Sequence, residues 1–326
     1  MKFLLFAQNL EILNICYDEG FLANGIYKSR EQIIKDSVIY DDIEYAFGTW
    51  GVPFFSEAEI RKYFPSLKAF FYGAGSVQYF ARPFFNCGVR VFSSWCANAI
   101  PVSEYTVAQI ILANKGYFKF QNTYRESSFY EARAVSNHFP GNFKTKVGLL
   151  GAGMIGRLVI NLLKNYEIEL LVFDPFMSEE KAKELGVIKA DLDTIFSECQ
   201  TISNHLAQNK NTNGILNYNH FSKMSDYTTF INTARGSIVN EEDLKRVMRE
   251  NNTLTAILDV IDPDEYRPNT DDLFSVENII VTPHSAGSQT KERQRLGQFM
   301  IEEYKAYIIN DKLKYEVHLK DLETMA

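Results

Sequence analysis

From residue 146 to residue 282, short runs of Val, Ile, Leu and Phe alternate with stretches whose apolar residues recur every three or four positions. The runs predict strands at 146–151, 169–174, 201–204, 228–233, 255–260 and 278–282. The longer-period stretches predict helices near 154–165, 178–185, 191–198 and 240–250, the last with Asn240 as its N-cap. Apolar strands joined by helical crossovers form a parallel, doubly wound α/β sheet with both faces covered.

The first hundred residues repeat the theme more loosely. Strands are expected at 2–7, 45–50, 69–73 and 89–93, and a helix near 56–63. Pro101 suits a first helical position, so a helix is expected from Val102 to Phe120, apolar on most sides and buried between two bodies. A further helix is expected from about 288 to 310. If that helix packs back on the N-terminal part, the smaller domain is discontinuous, 1–100 with 288–326, around a larger one at 101–287.

Composition narrows the class. A chain of 326 residues exceeds one small core and suits two domains, and 46% hydrophobic content marks it as globular. A formal charge of −7 argues against a general surface for nucleic acid or anionic membrane. Cys16, Cys87, Cys96 and Cys199 are scattered without metal-ligand spacing, which reads as reduced thiols in a cytoplasmic protein with no metal site. The apolar start, Phe3 to Ala7, is cut short by Gln8, Asn9 and Glu11 and reads as a strand, not a signal peptide; no run reaches membrane-spanning length.

Candidate chemistry begins at Gly151-Ala152-Gly153-Met154-Ile155-Gly156, which follows a predicted strand and opens a predicted helix. Gly151 permits a tight turn, Gly153 lets backbone approach a pyrophosphate, and Gly156 allows close packing. The helix start at Gly153, Met154 and Ile155 offers unpaired N–H groups to an anion. Asp174 ends the second strand, 23 residues after Gly151, where a carboxylate can accept ribose hydroxyls. A lone Gly-rich turn would carry little weight, but here strand, helix, second strand and acid agree on a dinucleotide-binding domain. Gly73-Ala74-Gly75-Ser76 has two of the glycines and no acid, and reads as a turn near a pocket.

Ligands of open α/β sheets bind beyond the carboxyl ends of the strands. Arg235, Asp259 and His284 fall at or just past three such ends, and Asp264 lies in the loop after Asp259. Taken singly, each has an ordinary reading: an ion-paired Arg, a turn His, an Asp bonded to backbone. Together beside a nicotinamide they suit hydride transfer to a 2-keto acid. Arg235 offers a planar fork to a carboxylate, and His284 can give a proton to the carbonyl oxygen and take it back. A carboxylate beside the second ring nitrogen would raise the histidine pKa and fix its orientation. His205 also ends a strand and is read as lining the cofactor site. His138, His220 and His318 lack such context.

These motifs resemble the D-isomer-specific 2-hydroxyacid dehydrogenases over nearly the whole chain. The likeness rests on Tyr72-Gly73-Ala74-Gly75, Ala97 to Glu104, the Gly151–Gly156 turn, Ile231 to Gly236, Leu258-Asp259-Val260 and Thr282 to Gly287. It implies an NAD-dependent 2-keto acid reductase, with a smaller flavodoxin-like α/β domain beside the dinucleotide-binding one and a homodimer involving the 102–120 region. It places the substrate-binding arginine on Arg235, the acid–base histidine on His284, and carboxylate-holding backbone on Ala74 and Gly75. Asp174 would select NAD over NADP, and Thr233 and Asp259 would lie by the cofactor. The family's histidine partner is a glutamate; here that position is Asp264, which the resemblance favours for the role, with Glu265 next to it as the alternative. Ser76-Val77-Gln78 also departs from the Asp-Asn that many members carry after the glycine turn. Other readings are a dinucleotide-sensing, corepressor-like protein of weak activity, and an enzyme acting on formate or phosphite. The acidic Asp264-Glu265 pair speaks against formate. Trp50, Phe54, Tyr72 and Trp95 suit either a bulky substrate or the core.

Overall fold

In the computed structural model, which describes residues 2–263 and 272–323, the chain forms two compact units, Met1–Ala99 with Ser288–Ala326, and Ile100–Gly287. The first unit holds the strands β1 (Phe3–Phe6), β2 (Gly25–Tyr27), β3 (Tyr45–Gly48), β4 (Ala69–Tyr72) and β5 (Arg90–Ser93). Their order is β5-β4-β3-β1-β2, all parallel, with the short strand Glu316–Val317 antiparallel at the outer edge of β5. Period-two alternation sends Phe70 and Tyr72 to one face of β4 and Ala69 and Phe71 to the other. Phe47, Phe71 and Phe92 are in register across β3, β4 and β5, and their rings stack with centroids 5.1 and 4.8 Å apart. The helix Thr290–Ile308 covers that aromatic face with Met300, Tyr304 and Tyr307.

The second unit is a seven-stranded sheet, all parallel. Its strands are β6 (Phe143–Leu150), β7 (Glu167–Phe173), β8 (Ile188–Lys189), β9 (Thr201–Asn204), β10 (Thr229–Asn232), β11 (Thr255–Leu258) and β12 (Ile279–Val281), in the order β12-β11-β10-β9-β6-β7-β8. The order reverses between β6 and β9, the switch point where the first strands of the two halves lie side by side. The helices Met154–Leu163, Glu179–Leu185, Leu192–Glu198 and Glu241–Glu250 connect the strands, and separate apolar clusters fill the two faces. Asn240 caps the last of these helices by accepting from the Asp243 N–H.

One expected element is corrected. The helix expected from Val102 starts at Trp95 instead, with Pro101 inside it, and ends at Asn114. The N–H groups of Ala97 and Asn98 bond to the Ser94 carbonyl, so the helix is nucleated a turn and a half before the proline. Inside the helix Pro101 keeps a helical φ but forfeits one backbone bond and crowds the preceding turn, a cost that the burial of Ala97, Ala99 and Val102 beside it offsets. A left-handed Gly116 (φ 73°) then separates it from a second helix, Tyr117–Glu126.

Candidate functional site

The turn after β6 is built by contacts that exclude side chains. Gly151 has φ 99°, and a Cβ there would stand 2.7 Å from the His205 carbonyl oxygen. A Cβ on Gly156 would stand 2.1 Å from the Gly151 carbonyl oxygen, so the helix start folds directly onto the turn. Around Gly153, by contrast, nothing lies within 4 Å of that position, and the residue is exposed. Gly153 caps the helix Met154–Leu163 without any side-chain hydrogen bond. Its first-turn N–H groups and the positive end of the helix dipole are therefore left for an anion. Met154 is exposed and Ile155 half-buried beside this opening.

Asp174 follows β7. One carboxylate oxygen accepts the Ala152 N–H (2.8 Å) and the other the Phe176 N–H (2.8 Å). The acid thus braces the glycine turn from the next strand, and it is partly open to solvent. Arg157, which sequence reasoning passed over, adds a cation to the first turn. Its Nε donates to the Ala152 carbonyl at 2.8 Å. The signal was available, since the arginine directly follows the third glycine.

Beyond β9, the His205 N–H bonds to Leu150 O (2.7 Å), joining this loop to the end of β6. The ring Nε2 lies 3.0 Å from the Ser203 hydroxyl, while Nδ1 is buried without a hydrogen-bond partner among the described residues. Burial pushes the imidazole pKa down to about 4, so the ring is neutral at physiological pH.

Two buried amides shape the next loops. Asn204 Nδ2 donates to Asn232 Oδ1 (3.1 Å), and these residues are in register at the ends of β9 and β10. Asn232 Oδ1 also accepts the Ala234 N–H (3.1 Å), and Asn232 Nδ2 donates to the Arg235 carbonyl (3.1 Å). The Arg235 backbone is therefore held from both sides of the Asn232 amide. Thr233 is nearly buried, its hydroxyl 3.2 Å from that of Thr106. Arg235 is half-buried, and one Nη donates to the Ala234 carbonyl at 2.7 Å. At Gly236 a Cβ would lie 2.1 Å from the Ile261 carbonyl carbon, so this loop packs backbone to backbone on the segment after β11.

Asp259 is 1% exposed, and the loop after β12 occupies its carboxylate. Oδ1 accepts the Thr282 hydroxyl (2.6 Å), the Ser285 N–H (2.8 Å) and the Ser285 hydroxyl (3.2 Å); Oδ2 accepts the Ala286 N–H (2.9 Å). The Thr282 hydroxyl spends its only hydrogen on Asp259, so the Tyr105 hydroxyl, 3.1 Å away, donates to it. Between these anchors His284 adopts a left-handed backbone (φ 50°), uncommon for a residue with a Cβ. Its N–H bonds to the Asp259 carbonyl at 3.0 Å.

Asn232, Leu258 and Val281 form one row across β10, β11 and β12. Arg235 and His284 each stand three residues beyond that row, on loops tied to the segment between them by Gly236 and Asp259. The structure thus brings the arginine and histidine loops together at one edge of the sheet whose first turn is the glycine loop. Asp264 and Glu265 lie outside the described residues. Among the described residues, no cluster of His, Cys, Asp or Glu could hold a metal ion.

In the first unit, Gly73-Ala74-Gly75 follows β4. The Ser93 hydroxyl binds the carbonyls of Ala74 (2.9 Å) and Gly75 (2.5 Å), which turns that side of the loop inward. The N–H groups of Ala74 and Gly75 donate to nothing among the described residues, although Ala74 is fully buried. Two adjacent backbone donors are thus left without a partner among the described residues. Of the four aromatics that suited either pocket or core, Tyr72 is buried, Trp50 and Trp95 are half-buried, and Phe54 is exposed.

Comparison with known proteins bears on this geometry. A family model described as the NAD binding domain of D-isomer specific 2-hydroxyacid dehydrogenases matches residues 107–286. A D-3-phosphoglycerate dehydrogenase of Archaeoglobus fulgidus is 28% identical over 216 residues, 66% of this chain and 40% of that protein. A hydroxypyruvate reductase of Thermotoga maritima is 29% identical over 219 residues, 66% of this chain and 69% of that one. The chain thus spans well under two thirds of the Archaeoglobus enzyme. In fold it is similar to D-2-hydroxyisocaproate dehydrogenase, with a TM-score of 0.78 at 15% identity over 97% of this chain and 99% of the other. It is also similar to the NAD-complexed D-isomer specific 2-hydroxyacid dehydrogenase of Lactobacillus delbrueckii ssp. bulgaricus, with a TM-score of 0.76 at 17% identity, covering 98% and 100%.

Proposed function

We propose that this chain, which belongs to the D-isomer-specific 2-hydroxyacid dehydrogenase family, interconverts a 2-keto acid and the matching D-2-hydroxy acid. Residues 107–286 match the family's NAD-binding domain, and bound NADH supplies the hydride. The chain's own residues do the rest. The Arg235 guanidinium takes the substrate carboxylate in a two-point grip and draws electron density from the adjacent carbonyl. His284 gives a proton to the carbonyl oxygen in reduction and removes it from the hydroxyl in oxidation. Asp264 is assigned as the acid partner of His284 on the family likeness, with Glu265 as the alternative. The unspent N–H groups of Ala74 and Gly75 offer further donors to the carboxylate, and His205, Thr233 and Asp174 serve the cofactor side, with Asp174 favouring NAD over NADP.

The observation that carries this reading is the clamp on His284. A fully buried Asp259 spends both carboxylate oxygens on the loop that holds this histidine in a left-handed turn, which is how a fold fixes a group that must act at one position. The relatives named above carry reductase and dehydrogenase names of the same chemistry, and the homodimer and the cytoplasm are part of the proposal on the family's likeness alone.

The test is NADH oxidation over 2-keto acids of graded size and charge, with the configuration of the product determined. Oxidation with formation of the D-hydroxy acid supports the reading; tight NADH binding without oxidation of any keto acid would leave a dinucleotide sensor instead. Asp264→Asn against Glu265→Gln then identifies the partner acid. A loss confined to the second would move the role to Glu265.

A further inference from the structure

We propose that Arg293 is a specificity-determining residue that binds the distal carboxylate of a 2-keto dicarboxylic acid, an inference that rests on the reading above and extends it to a substrate class. All of its elements lie in the first unit, beyond the carboxyl ends of β3, β4 and β5. Parallel α/β sheets receive their ligands at those ends.

Arg293 sits in the first turn of the helix Thr290–Ile308 and is half-buried. Its guanidinium lies over the Trp50 ring, 5.4 Å from the centroid, and its Nε donates to the Ser288 carbonyl at 3.2 Å. Stacking and the Nε bond fix the plane of the fork, and its terminal nitrogens have no hydrogen-bond partner among the described residues. Among the described residues no Asp or Glu forms an ion pair with it. A planar cation held in this way matches a carboxylate better than a flexible ammonium would.

A second observation points to the same place. The Ser288 hydroxyl is buried, on a residue only 7% exposed, and has no hydrogen-bond partner among the described residues. A buried polar group without a partner is costly unless a ligand or water completes it. Ser288 is braced from both sides, its N–H donating to Asn98 Oδ1 (3.0 Å) and its carbonyl accepting from Arg293. Asn98 in turn reaches toward the glycine turn, its Nδ2 being 4.0 Å from where a Cβ on Gly75 would stand.

Gly75, Asn98, Ser288 and Arg293 are thus successive neighbours, and among the described residues no Asp or Glu is ion-paired with this arginine. One keto-acid carboxylate needs the donors at the glycine turn. The remaining hydroxyl and guanidinium fit a second anion at the far end of the same molecule.

The experiment compares 2-oxoglutarate with its 5-methyl ester, which keeps the open keto-acid chain and carries one charge fewer, as substrates of the full-length protein with NADH. The wild type is expected to favour the dicarboxylate by at least about tenfold in kcat/KM, the scale of a hydrogen-bonded charge pair. Arg293→Gln should bring that ratio close to one, and Arg293→Lys should restore part of it. A wild-type ratio near one, or a ratio unchanged in Arg293→Gln, overturns the proposal. If Arg293→Gln does not fold, the Arg293→Lys ratio decides, since a role in folding alone leaves it at the wild-type value. A keto acid with a distal phosphate that is preferred over 2-oxoglutarate, with the same dependence on Arg293, overturns the assignment to a carboxylate. Failure to oxidise NADH with any keto acid, mono- or dianionic, would count against the proposed function itself.

Discussion

The Asp259 carbonyl accepts the His284 N–H at 3.0 Å, and the Asp259 carboxylate takes the next two backbone N–H groups, those of Ser285 and Ala286. The left-handed turn at His284 is thus held by a residue at the end of the neighbouring strand. An amide at 259 would offer one acceptor oxygen where the loop needs two. Asp259→Asn is expected to lower kcat by about 100-fold, the scale of a misplaced acid–base group, while NADH affinity stays within a few-fold. Stopped-flow turnover with fluorescence titration of NADH checks it; equal loss of both would assign Asp259 to cofactor binding.

Gly236 predicts a loss of stability joined to a loss of function. A Cβ at 236 would meet the Ile261 carbonyl carbon at 2.1 Å, and backbone on both sides leaves no flexible atom to yield. Gly236→Ala should destabilise the protein by about 2 kcal/mol through overpacking, and should raise KM for the keto acid because Arg235 moves with the loop. Urea unfolding and steady-state kinetics test both halves.

Asp174 bears on cofactor choice. With its carboxylate removed, the repulsion of a 2′-phosphate goes with it, and so does the brace on the Ala152 N–H. Asp174→Ala should weaken NADH binding by about tenfold, the cost of one or two charge-assisted hydrogen bonds, and should narrow the preference for NADH over NADPH. Fluorescence titration with both nucleotides measures it.

His205 gives a pH dependence of stability. Its folded-state pKa is lowered to about 4 by burial, below the ordinary 6.5, so between these values the unfolded chain takes up a proton that the folded chain does not. Stability from this residue is complete above about pH 6.5 and falls as the pH drops toward 4, by at most about 3 kcal/mol. His205→Gln should flatten that part of the acid limb. Denaturant unfolding of both proteins at pH 7 and pH 5 decides it.

The glycine turn and Asp174 were legible in the sequence because strand, turn, helix and acid follow one another locally. That Arg235 and His284 lie just past strand ends could be read because β10 and β12 are apolar runs, each ending three residues before them. What escaped was whatever depends on register between distant strands. Asn204 and Asn232 end their runs unremarkably, and only the pairing of β9 with β10 makes them the amide pair that sets the Arg235 loop. Asp259 could be placed at a strand end, but not its grip on residues 282–286. The start of the helix at Trp95 was misread because Pro101 marks a helix start only where no earlier turn has nucleated one. The donors around Arg293 were invisible for the same reason, since Trp50, Gly75, Asn98 and Ser288 lie far apart in the chain.

The central claim is that His284 moves the proton while Arg235 holds the carboxylate. Its most direct test is kcat/KM for a good 2-keto acid at saturating NADH in His284→Ala and Arg235→Lys, each shown by fluorescence to bind NADH as the wild type does. The account predicts a fall of about 1000-fold or more for His284→Ala, and a large rise in KM for Arg235→Lys as the two-point grip is lost. Turnover unchanged in both variants would contradict it.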